Sequence, residues 1–201
     1  MKWEKLLCEE RRRSTRRLAE EDRTEIQRDY GRVVFSTPVR RMQDKAQVFP
    51  LEPIDAVRTR LTHSLEVSSV ARGIASAVAK ELLRCEELTG VQMASEIETI
   101  AATCGLIHDI GNPPFGHAGE AAIQEWFQNQ PEDFWRFDDS SDGRYRKDLE
   151  QFEGNAQTLR LLATLQILSD RTVLNLTFAT LSAALKYTAS SASTAKGSAS
   201  R

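Results

Sequence analysis

A chain of 201 residues is long enough to bury one substantial core, so a single domain is expected. Its 27 Lys and Arg nearly balance 29 Asp and Glu, which excludes a global field drawing it to nucleic acid or to an anionic membrane. No apolar run approaches the roughly 18–20 residues that span a bilayer, and Met-Lys-Trp-Glu-Lys at the start lacks the apolar stretch of a signal peptide, so a cytoplasmic protein is expected.

Residues 2–30 alternate in charge, with Arg11, Arg12, Arg13, Arg16 and Arg17 followed by Glu20, Glu21 and Asp22. Opposite signs that close together predict a solvated helix rather than a nucleic-acid patch. Gly31 and Pro38 punctuate the next stretch, and Pro50 and Pro53 bracket a loop. Over residues 58–83, Leu61, Leu65, Val67, Val70, Ile74, Val78 and Leu82 recur mostly at three- and four-residue steps, predicting an amphipathic helix with His63 in its first turns. A second helix is predicted over 95–108, carrying Ile97, Ile100, Ala101, Cys104 and Ile107. Gly111, Asn112, Pro113 and Pro114 then stop it, which leaves His108 and Asp109 at its C-terminus.

Residues 131–151 are rich in Asp, Arg and aromatics without a period and read as a loop, whereas 155–168 and 173–185 resume helical patterning. Residues 190–201 contain no large apolar side chain and predict a frayed tail. The whole reads as all-α without internal repeats, divided into a charged segment 1–29, a domain 30–187 and a tail 188–201. Cys8, Cys85 and Cys104 are widely spaced, with no Cys-x-x-Cys pair, and read as ordinary thiols in a reducing compartment.

The chain holds three histidines: His63 in R-L-T-H-S-L-E, and His108 and His117 in L-I-H-D-I-G-N-P-P-F-G-H-A-G-E. Imidazole and carboxylate together suit a borderline divalent metal. Neighbours on a regular helix diverge by about 100°, so His108 and Asp109 can face one ion only where the helix ends, as the Gly-Asn-Pro-Pro run predicts. A lone His or Asp is more often a satisfied structural residue, and from these residues alone that reading stays open.

R-T-R-L-T-H-S-L-E-V followed by H-D-I-G-N-P-P-F-G-H-A-G-E resembles the HD-domain metallophosphohydrolases, specifically the bacterial deoxyguanosine triphosphate triphosphohydrolases. V-R-R-M-Q-D-K-A-Q-V-F-P-L-E at 39–52, F-E-G-N-A-Q-T-L-R-L at 152–161 and L-K-Y at 185–187 extend the likeness over most of residues 30–187. The resemblance implies a helical HD bundle that hydrolyses dGTP, or another dNTP, to the deoxynucleoside and inorganic triphosphate with a divalent ion, Mn or Mg ahead of Fe, Co or Ni. It implies metal ligation by His63, His108 and Asp109, and catalysis by His117 and Glu120. Their three-residue spacing shares one face if Gly116 opens a helix. Gln47 matches a residue near the deoxyribose, Arg58, Lys186 and Tyr187 look like triphosphate contacts, and by the same resemblance Asn155 would support the nucleotide site or cap its helix.

Each of these residues also has a plain reading: His117 as a turn residue, Glu120 in a first turn, Gln47 in a solvated loop, Arg58 in a surface ion pair, Tyr187 at a core margin, Asn155 as a helix cap. The family's fourth ligand is an Asp well beyond the L-K-Y block, and the fourteen residues after Tyr187 contain none. The expectation is therefore a bundle incomplete at its C-terminus and impaired in hydrolysis. The alternatives are an HD-type phosphodiesterase or nucleotidase and a catalytically incomplete regulatory subunit. A homo-oligomer is expected, and single-stranded nucleic acid is a partner that the net charge does not support.

Overall fold

The computed structural model describes residues 2–13, 22–49, 54, 56–138, 143–165 and 174–187. In chain order its helices are α1 (Trp3–Leu6), α2 (Glu25–Val34), α3 (Thr37–Arg41), α4 (Arg60–Arg84), α5 (Val91–Ile107), α6 (Gly116–Gln128), α7 (Arg144–Glu150), α8 (Gly154–Arg160) and α9 (Phe178–Ala184). Among the described residues no strand forms; two isolated bridges pair Arg11 with Thr177 and Ala46 with Thr59. The protein is all-α, and none of the described helices is long and apolar enough to cross a membrane.

The centre is the antiparallel pair α4 and α5. The Thr59 hydroxyl starts α4 by accepting from the Thr62 N–H. The face that α4 buries is not the apolar stripe expected from periodicity but one of small residues: Ser64, Ser68, Ala75 and Ala79. Gly105 of α5 lies so close that a Cβ there would sit 2.7 Å from the Ser68 Cα, and the Ser68 hydroxyl donates to the Ala102 carbonyl at 2.7 Å. Two backbones that close exclude large side chains from the seam. Val70, Ile74 and Val78 are accordingly displaced to a neighbouring face and are 62%, 62% and 49% exposed.

The expected solvated helix over 2–30 is broken at residues 8–11, and its part over 14–21, with Arg16, Arg17, Glu20 and Glu21, lies outside the described residues. The chain makes the short α1, an extended run through Arg11, and then α2, which a reciprocal Thr24–Gln27 capping box begins. Arg11 is buried rather than solvated, donating from Nε to Glu25 at 2.6 Å, from Nη1 to Asp29 at 2.6 Å and to the Asn175 carbonyl, and from Nη2 to the Glu25 carbonyl at 2.7 Å. Asp29, fully buried, also accepts the N–H and the hydroxyl of Thr177 at 2.8 and 2.7 Å. The acidic partners of Arg11 thus come from a separate element rather than from neighbours on its own helix.

Around this clamp the main core gathers Val33, Val39, Met42, Leu106, Ile107, Ile110, Leu162, Leu174 and Leu176. From residues 1–29, Leu7 and Ile26 pack in a smaller cluster with Ala179, Met93, Ile97 and Ile100. The expected loop at 131–151 contains a 3-10 helix, Glu132–Phe137, and α7. Buried Trp135, with Arg146 over its ring at 5.3 Å, ties them together, and Arg146 also pairs with Glu132 and Glu150 at 2.8 and 2.7 Å. Aromatic and charge contacts of this kind leave no apolar period. Of the helix expected over 155–168, α8 continues as a π-helical turn through Leu161–Leu165 and the rest lies outside the described residues, as does the tail 188–201. The helix expected over 173–185 is shorter: α9 starts after Thr177, whose hydroxyl accepts from the Thr180 N–H.

Candidate active site

His63 lies in the first turn of α4, and His108 and Asp109 come directly after the last residue of α5. The helix end brings together what a regular helix would splay apart, and one ligand atom from each of the three residues falls within 4.8 Å of the others. The rings of His63 and His108 stand edge to face, with centroids 5.3 Å apart. His108 Nδ1 lies 2.8 Å from the Gly105 carbonyl, which accepts its proton and leaves Nε2 as the lone-pair nitrogen facing the cluster. Asp109 Oδ2 accepts from Arg60 Nη1 at 2.6 Å and Oδ1 from Asn112 Nδ2 at 2.7 Å. Each oxygen keeps a second lone pair, so two imidazoles and an oriented carboxylate can hold a divalent ion.

Behind the cluster stands a basic shell that sequence reasoning missed. Arg60 is 4% exposed, and it also reaches the Ala46 carbonyl at 3.3 Å. Lys45 donates to the Asn112 carbonyl at 3.0 Å, and burial, then Arg60 and Arg41, push its ammonium below the usual lysine range against the pull of Asp109. The spacing of Arg60 and His63, three residues apart on a helix, was the available signal that they share a face. Arg58, singled out instead, precedes α4 and pairs with Glu66 at 3.0 Å, with both side chains more than half exposed.

The turn Asn112–Gly116 leads from the cluster into α6. Phe115 takes a left-handed conformation (φ 67°) and is 70% exposed, and Gly116 comes next at φ 56°. A Cβ on Gly116 would lie 3.4 Å from Arg60 Nη2, which places the start of α6 beside the shell of the cluster. Gly116 does open a helix, and His117 Nδ1 lies 3.0 Å from Glu120 Oε2. Glu120 Oε1 accepts the Gly154 N–H at 2.7 Å, so one carboxylate joins α6 to the start of α8. Gly154 has no room for a side chain: a Cβ would lie 2.6 Å from Glu120 Oε1 and closer still to Asn112 Oδ1.

The peripheral candidates are more scattered. Gln47 adjoins Ala46, and its Oε1 is buried without a hydrogen-bond partner among the described residues, as is Arg60 Nε. Asn155 donates to Glu153 at 2.5 Å, and Glu153, not Asn155, caps α8 by accepting from the Ala156 N–H at 2.8 Å. Lys186 and Tyr187 are exposed just past α9, the ammonium 5.2 Å from the phenol centroid. The thiols play no visible part, and burial pushes that of Cys104 up to about 11.

The HD domain, as a family description, matches residues 60–163, the stretch that contains the whole ligand cluster. The chain belongs to the HD-domain family. Around this HD domain, the chain is 44% identical over 200 residues to a deoxyguanosinetriphosphate triphosphohydrolase-like protein of Listeria innocua, covering 95% of this chain and 43% of that protein. A protein of the same description from Synechocystis is 42% identical over 195 residues, 93% of this chain and 42% of its own length. The deoxyguanosinetriphosphate triphosphohydrolase of Klebsiella pneumoniae is 44% identical over 185 residues, 80% of this chain and 36% of its own. The chain thus spans less than half the length of these relatives.

Proposed function

We propose that this HD domain serves a metal-dependent hydrolysis of dGTP, or of another dNTP, to deoxynucleoside and inorganic triphosphate. The observation that carries the reading is the convergence of His63, His108 and Asp109 within 4.8 Å, beside a His117 already hydrogen-bonded to a carboxylate. The relatives' names supply the substrate. A divalent ion held by the three residues, Mn or Mg before Fe, Co or Ni, would supply Lewis acidity that neutralises phosphoryl charge and acidifies water.

The remaining steps fall to the chain's own groups. Glu120, fixed through Oε1, accepts the Nδ1 proton of His117 and so leaves Nε2 as the base. Nε2 takes a proton from water as its oxygen attacks the α-phosphorus; the bond to the 5′-oxygen breaks, and that oxygen leaves as the deoxynucleoside hydroxyl with the proton that His117 Nε2 gives back. Gln47 would meet the sugar with its buried, unpaired amide oxygen. Arg58, Lys186 and Tyr187 would meet the triphosphate, and Asn155 would support the site through Glu153. The protein would work in the cytoplasm as a homo-oligomer, a state that the exposed Val70, Ile74 and Val78 face of α4 favours.

The test is to incubate the chain with dGTP and Mn and to measure inorganic triphosphate. Slow, Mn-dependent release that His117→Ala abolishes is the expected outcome, slow because the three ligands gathered among the described residues fix an ion and its water less firmly than a fuller shell. Cleavage of a phosphodiester in preference to dGTP would move the assignment to a phosphodiesterase. Tight binding of Mn and dGTP without turnover would make the chain a regulatory module.

A further inference from the structure

A cavity of about 360 Å³ lies away from the metal-ligand cluster, between α2, α4 and α5. Leu65, Ser69 and Arg72 of α4 line it at four- and three-residue steps, which puts them on one face. His63 precedes Leu65 by two positions, about 200° around the helix, so the cavity opens on the opposite side of α4 from the candidate active site.

Its polar lining holds several groups able to donate, beside Ser68 and Thr99, whose hydroxyls already donate to the Ala102 and Ser95 carbonyls. Gln27 spends its Oε1 on the Thr24 N–H, which leaves the amide NH2 for the cavity. The hydroxyls of Tyr30, Ser69 and Ser95 have no hydrogen-bond partner among the described residues and rotate freely to donate. Arg72 is held only through Nε, at a long 3.8 Å from Glu98, so its two terminal nitrogens stay uncommitted. No carboxylate lines the cavity itself. Five groups able to donate, one of them a planar cation, and no acidic acceptor call for a ligand that brings acceptors and negative charge.

We propose that this cavity is a binding site for a small phosphorylated molecule. A carboxylate offers two oxygens, whereas a phosphoryl group offers enough to engage the guanidinium fork and the surrounding hydroxyls together. Leu65 and Ala102 give the organic part an apolar floor. The volume is near the lower end of ligand sites, which run from about 300 to 1,000 Å³, so the ligand is of sugar-phosphate size rather than a nucleoside triphosphate.

Isothermal titration of the whole chain in EDTA tests this, with ribose 5-phosphate, inorganic phosphate and ribose as probes. Ribose 5-phosphate should saturate a single site and ribose should not bind; inorganic phosphate binding as tightly would assign the site to the free anion and still support it. Arg72→Gln removes only a mostly exposed side chain and should weaken binding about tenfold or more, the scale of one charge-assisted hydrogen bond. Ser69→Leu fills the cavity and should abolish binding, while His63→Ala should leave it unchanged. No saturable binding of ribose 5-phosphate overturns the proposal. So does binding indifferent to both Arg72→Gln and Ser69→Leu, or binding lost in His63→Ala, which would place the anion at the metal-ligand cluster.

Discussion

Asp109 and His117 are eight residues apart in sequence and are held in opposite ways. The Asp109 side chain is 14% exposed and gripped through both oxygens, one of them by an arginine that is itself buried; the His117 side chain is 98% exposed and tethered through a single ring nitrogen. The difference suits the role proposed for each. Metal bonds of about 2 Å tolerate little error, and the proposed ligands are set from behind. A proton carrier needs its second nitrogen open, and one fixed carboxylate is enough to choose its tautomer.

The comparison breaks first if the buried grip is not energetic. Arg60→Leu strands Asp109 without its cation and should cost about 3–5 kcal/mol in urea unfolding, whereas His117→Ala should stay within about 0.5 kcal/mol; equal losses would show the two ends to be alike. Next in size is the ion itself. Mn at a hundredfold excess over its dissociation constant should stabilise the chain by about 2.7 kcal/mol, an increment that must vanish in His108→Ala and persist in His117→Ala.

Gly154→Ala sharpens the other side. The added methyl meets Glu120 Oε1 and Asn112 Oδ1, for an overpacking cost of about 1–3 kcal/mol. It should also release the His117 tether, visible as a changed tautomer ratio in ring-nitrogen NMR spectra; an unchanged ratio would mean that Glu120 does not set it. The smallest effect is at the turn between the two ends. Phe115→Gly relieves a left-handed conformation that costs a side-chain-bearing residue about 1–2 kcal/mol, partly offset by glycine's greater unfolded freedom. A net gain of roughly 1 kcal/mol by thermal unfolding is expected.

What the sequence made legible was whatever its local grammar carries. The end of α5 was readable because Gly111, Pro113 and Pro114 forbid continuation, and that ending is what brings His108 and Asp109 to one point. The His117–Glu120 hydrogen bond was readable from helical spacing. The buried face of α4 was not, because periodicity weighs large apolar residues and the seam was chosen for small ones: Ser68 against Gly105. Arg60 went unnoticed beside Arg58 because only the helix start at Thr59 distinguishes them. The grip of Arg11 on Asp29 and Asn175 spans the chain, and no local pattern encodes it.

That long grip also sets an order of events in biosynthesis. Arg11 and the Asn175 carbonyl are 164 positions apart, and Thr177 reaches back 148 positions to Asp29. At translation speeds of about 5–20 residues per second, Arg11 is made roughly 10–30 s before the backbone it binds. Throughout that interval the nascent chain carries Asp29 without its Thr177 partners and the bundle without α9. These contacts are among the most non-local of the described residues, a topology that slows folding.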